Sequence, residues 1–131
     1  MSKYSLILSP HIVPTTKIVV HELCKDGESL FNKFADEIVK DANLISKFAK
    51  VISIIEHSAN RMKMPQTKFK QLEVGKQVSC KVYEAKAGII RVYMFAEKHT
   101  GRIIVLGGKK NNQDKDIKLV IRTIKDYYND K

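Results

Sequence analysis

The sequence predicts an α+β domain: a small antiparallel sheet of about four strands packed on an N-terminal helical hairpin, with a C-terminal helix. Three observations lead there. Apolar residues recur at three- and four-residue steps in two neighbouring segments of the first half, alternation replaces that period after Pro65, and the helical period returns after Gly108. A length of 131 residues suits a single core, and shares of 44% hydrophobic and 29% charged residues are those of an ordinary globular chain.

Residues 1–16 read as a flexible lead-in, because Ser9-Pro10-His11-Ile12-Val13-Pro14 carries two prolines and no period. Residues 17–131 form the single domain. Its first strand is expected over Lys17–Leu23, rich in β-branched residues and ended by the Asp26-Gly27 turn. Leu30, Phe31, Phe34, Ala35, Ile38 and Val39 mark an amphipathic helix, broken at Asp41. Leu44, Phe48, Val51, Ile52 and Ile55 mark a second, stopping before Met64-Pro65 because the residue preceding proline disfavours helix. Strands follow over Gln77–Ala85, Ile89–Glu97 and Gly101–Leu106, joined by hairpin turns at Lys86-Ala87-Gly88 and Lys98-His99-Thr100-Gly101. Gly107-Gly108 is expected to turn the backbone, with Asn112 or Asp114 capping a last helix striped by Ile117, Val120, Ile121, Ile124 and Tyr127. With all helices on one side, the other sheet face is left free.

Charge is distributed very unevenly. Residues 61–131 hold 17 Lys/Arg against 7 Asp/Glu, whereas residues 1–60 hold 7 of each, so the whole excess of +10 lies in the second part. Such a field suits a polyanionic partner, and on a sheet that partner is nucleic acid. A merely lysine-rich surface is the plainer alternative. Cys24 and Cys80 stand alone in sequence, outside any Cys/His cluster, so neither a disulfide framework nor a metal site is indicated and no cofactor is expected. No stretch reaches the length of a membrane span and no secretory leader is visible, which makes the cytoplasm the expected location.

Three local sequences carry a family resemblance: Met64-Pro65 leading to Lys68-Phe69-Lys70-Gln71-Leu72; Gly88-Ile89-Ile90-Arg91-Val92-Tyr93; and Ile103-Ile104-Val105-Leu106-Gly107-Gly108-Lys109-Lys110-Asn111. In this order they resemble the RelE/ParE superfamily of bacterial toxin–antitoxin modules, in its HigB-like branch, over about residues 44–128. The resemblance implies a RelE-like fold and a toxin that cleaves messenger RNA on the ribosome, restrained by a cognate antitoxin. Carried over, the strand arginine of the family falls on Arg91, its basic pair on Lys109 and Lys110, and the basic residue of the preceding strand on Lys81. Lys68, Lys70, Lys76 and Lys86 are expected to add long-range attraction for RNA.

The chemistry fits these residue types. Attack of a ribose 2′-hydroxyl on the adjacent phosphate needs proton transfer and stabilisation of extra phosphoryl charge. A guanidinium clamps phosphate through two parallel hydrogen bonds, and lysines beside a helix start join backbone N–H groups in favouring an anion. The sequence around the last helix, Asn111 to Ile117, lacks the tyrosine or histidine found there in many members of the family. Asp114 or Asp116, or Tyr93 and His99 from the hairpin, are the substitutes, with helix capping the simpler role for both aspartates. Two other readings stand beside the nuclease: a ParE-like gyrase inhibitor, and an RNA-binding module that has lost catalysis.

Overall fold

In the computed structural model, which describes residues 3–130, the chain runs β1 (Tyr4–Leu8), β2 (Val20–Lys25), β3 (Glu28–Ser29), α1 (Leu30–Ile38), α2 (Ile45–Ala59), β4 (Phe69–Gln71), β5 (Val82–Ala87), β6 (Ile90–Glu97), β7 (Gly101–Lys109) and α3 (Gln113–Asn129). A 3-10 turn over Lys110–Asn112 joins β7 to α3. The strands form one seven-stranded sheet in the order β1-β2-β7-β6-β5-β4, with the short β3 on β2. Every pairing is antiparallel except β2 with β7, where Val20 stands opposite Arg102.

This corrects the expected architecture in two respects. The sheet is mixed and larger than four strands, and the helices are not an N-terminal hairpin, because three strands precede α1. The extra strands are short pieces held by partners distant in sequence: Tyr4–Leu8 pairs along β2 from Lys25 to His21, and Phe69–Gln71 pairs along β5 from Ala85 to Tyr83. Pairing of this kind leaves no local period to read.

A third correction concerns the free face. Alternation along β6 sends Ile90, Val92 and Met94 into a core with Phe31, Phe48, Val51 and Ile55 of α1 and α2. Tyr93 and Phe95 point the other way, into a second core with Ile103, Val105, Val120, Ile124 and Tyr127, so α3 covers the opposite face. Both faces of the sheet centre are buried, which is why Ile90–Phe95 is continuously inaccessible. Each fully buried side chain of this size contributes about 1.5–3 kcal/mol by leaving water.

The two glycines expected to turn the chain instead extend β7. Gly107 lies under the Phe34 ring from the α1 side and Gly108 under the Asp116 carboxylate from the α3 side, so both positions lack room for a Cβ. Toward the same end of the sheet, beside β2, Ser29 caps α1 by accepting from the Asn32 N–H at 3.0 Å and donates to the buried Glu22 carboxylate at 2.6 Å. Ser9 donates to the second Glu22 oxygen at 2.6 Å, which leaves that buried charge with a hydroxyl on each oxygen.

Candidate functional site

The pairing register brings most of the sequence-selected cations to one end of the sheet. Arg91 on β6 stands between Lys86 on β5 and Gly108 on β7, and Ile90 pairs with Lys109. The Lys110 N–H then donates to the Ile89 carbonyl at 2.8 Å, holding the start of the 3-10 turn against the β5–β6 turn. Lys68 belongs to the same end, since its carbonyl accepts from the Lys86 N–H at 2.8 Å. Lys47, which the sequence did not single out, lays its methylenes against Gly88 from α2. Among the described residues none of these lysines forms an ion pair, so their charges add.

Lys81 and Lys76 fall elsewhere, whereas Lys70 borders the site from β4. Lys81 precedes β5 at the far end of that strand, where its carbonyl accepts from the Ala96 N–H, about 16 Å from Lys86 along an extended chain. Lys76 sits in an exposed turn after β4, and Lys70 stands opposite Glu84 in the β4–β5 pairing.

Arg91 is 7% exposed. Its Nη1 donates to the carbonyls of Gly88 at 2.7 Å and Ile90 at 3.0 Å, which fixes the guanidinium beneath the β5–β6 turn, while Nε has no partner. One row further along the same face lie Glu84 and Tyr93, paired across β5 and β6 and both fully buried. Gln113 Nε2, at the start of α3, donates to Glu84 Oε2 at 2.6 Å; Glu84 Oε1 and the Tyr93 hydroxyl, though neighbours, meet no hydrogen-bond partner in good geometry. Three such buried polar atoms on two adjacent rows form a concentrated cost, since such groups are paired in nearly all structures.

Burial, reinforced by the negative charges of Glu84 and Asp116, pushes the Tyr93 phenol far above its ordinary value, so it stays a neutral donor. Burial also raises the Asp116 carboxyl, with Lys115 opposing. Asp116 therefore does more than complement the helix start: it lies in the first turn of α3 but turns inward onto Gly108, beside Arg91. Asp114 faces solvent in a depression of about 300 Å³ shared with Lys110 and Lys115, and His99 sits in the β6–β7 turn at the opposite end of the sheet. Neither aspartate caps α3 through its side chain; Asn112 occupies that position without a side-chain bond.

Sequence reasoning passed over Glu84, Gln113 and Lys47. For Glu84 the alternation misleads: Tyr83, Ala85 and Ala87 supply the apolar positions of β5, so the face of Val82, Glu84 and Lys86 reads as solvated, although α3 covers it. Gln113 and Lys47 act through tertiary approach alone. Among the described residues no group of three His, Cys, Asp or Glu side chains is arranged to hold a metal, and no helix is long and apolar enough to cross a membrane. No protein-family model, curated protein or solved structure matches the chain.

Proposed function

We propose that this chain is the toxin of a toxin–antitoxin pair and cuts messenger RNA bound to the ribosome, working in the cytoplasm and restrained by a cognate antitoxin. One observation carries the reading: Lys86, Arg91, Lys109 and Lys110 meet at the ends of three neighbouring strands, with Lys86 and Arg91 on the face that also holds the buried Glu84 and Tyr93 and the half-buried Asp116. A phosphate seated at this end meets the surrounding ammonium charges, with the Arg91 guanidinium held just beneath the turn by the Gly88 and Ile90 carbonyls. Extra negative charge on the phosphoryl oxygens is then met by cations already in place. Asp116, its carboxyl raised by burial, is the group we assign to take the 2′-hydroxyl proton.

Primer extension on a defined message in a reconstituted translation reaction tests this, with wild type, Arg91→Ala, Asp116→Asn and Lys109→Ala/Lys110→Ala compared with and without ribosomes. New 5′ ends that need ribosomes and disappear in the variants are expected. Intact message with undiminished translation overturns the nuclease, and loss of supercoiling in a parallel gyrase assay transfers the reading to the gyrase inhibitor.

A further inference from the structure

The most strongly charged helix face in the molecule lies away from Arg91. Lys115, Lys118, Arg122 and Lys125 are all exposed on α3, and at about 3.6 residues per turn they fall within about 80° of its circumference. That sector is opposite the buried Val120, Ile124 and Tyr127, so the four side chains point straight out from the sheet. Asp116 is turned inward onto Gly108, and Asp126 is taken up by the Lys3 ammonium at 3.1 Å and the Tyr4 hydroxyl at 2.7 Å. Among the described residues the four cations have no ion pair.

The row does not end on the helix. Arg122 and Lys125 line a depression of about 440 Å³ between α3 and the strands, into which Lys25 reaches from the end of β2. This hollow is larger than the one holding Asp114, and it lies far from the start of α3 where Asp116 sits. Cations from two elements thus border one concave surface, and the helical row spans about 15 Å.

We propose that the outer face of α3, continued by Lys25, is a second seat for nucleic acid that grips the phosphodiester backbone of a double-helical segment. A regular row of cations on a rigid rod suits a backbone of fixed charge spacing, and the face carries no aromatic side chain in that sector on which unstacked bases would sit. The interaction is sequence-independent and strongly salt-dependent. It does not require the chain to be a nuclease.

Binding of the purified chain to a 20-base-pair RNA hairpin, a DNA duplex of the same sequence and an unstructured single strand, followed across salt concentrations, tests the proposal. In Lys118→Gln/Arg122→Gln/Lys125→Gln the slope of log K against log salt is expected to fall by about 2–3 for duplex, at roughly 0.9 per lost phosphate contact, with a smaller change for single strand. Lys86→Gln/Lys109→Gln/Lys110→Gln is expected to show the reverse preference. Unchanged duplex affinity and slope in the α3 variant, with its helical circular dichroism intact, overturns the inference. Preference between the RNA and DNA duplexes identifies the source of the backbone; displacement by polyglutamate as readily as by duplex would instead assign the face to an acidic protein and overturn it.

Discussion

The Asp116 carboxylate occupies the space that a side chain at position 108 would fill. Gly108→Ala must therefore displace Asp116 or bend β7. A loss of about 1–3 kcal/mol in urea unfolding is expected, the usual cost of overpacking. Most of it should return in Gly108→Ala/Asp116→Ala, since the second change removes the obstructing carboxylate; a double variant as unstable as the single would show that the backbone, not Asp116, sets the limit.

Asp116 also sets a pH dependence. Its folded pKa lies above the ordinary 3.8, so the folded state holds the proton more tightly than the unfolded chain. The stability gained from that proton is full below pH 3.8 and is lost as pH rises through the raised folded value. A side-chain amide has no such proton to lose, so Asp116→Asn should melt higher than wild type at neutral pH, with the difference vanishing in acid. The same variant should lose cleavage, which thermal melts and primer extension together would reveal.

Gln113 donates to a carboxylate that has no contact with water. Gln113→Ala should cost about 1.5–3 kcal/mol, the range for hydrogen bonds to charged groups, whereas Gln113→Glu should cost more by placing a second carboxylate against Glu84. Chemical denaturation of the two variants separates these outcomes by rank.

Ser29 serves α1 and Glu22 at once. Its replacement by alanine removes a helix cap and one of the two hydroxyls on a buried carboxylate, so a combined loss of about 2–4 kcal/mol is expected. Ser9→Ala, which spares the cap, should cost less; hydrogen exchange in the first turn of α1 should accelerate only for Ser29→Ala.

Arg91→Lys probes the planar clamp. An ammonium cannot reproduce the planar fork whose Nη1 reaches the Gly88 and Ile90 carbonyls, so cleavage should fall about 100-fold while RNA affinity changes little. Equal loss of both would mean that Arg91 contributes charge alone.

The helices and the three-stranded meander are legible in the sequence because each repeats a period over many residues: α1, α2 and α3 start within a few residues of their expected positions, and β6 runs from Ile90 where Ile89 is expected. Alternation predicts strand over Gln77–Lys81, but that stretch is irregular and β5 begins at Val82. The end of β7 departs from expectation because Gly107 and Gly108 suggest backbone freedom, when their role is to admit Phe34 and Asp116. The covered second face is already written in Ile90–Phe95, whose apolar residues hardly alternate with polar ones. Of the site, the cations are legible by residue type, and the register that sets Lys86 opposite Arg91 follows from the turn at Gly88, whereas Lys109 arrives through the β6–β7 pairing with its irregularity between Tyr93 and Met94. Glu84, Gln113 and the inward turn of Asp116 depend on how α3 lands on the sheet, which no local pattern encodes.

The parallel pairing of β2 with β7 has a consequence for synthesis. Val20 leaves the ribosome long before its partner Arg102, so the Val20–Glu22 part of one edge of β2 has no native neighbour until β7, and with it Lys109, has been made. The β1–β2 hairpin and the apolar stripes of α1 and α2 wait without their sheet partners through that interval, the hazard that long-range pairing carries. The same delay means that the cationic end cannot assemble before the chain is nearly complete, so a truncated product carries its lysines without the framework that gathers them.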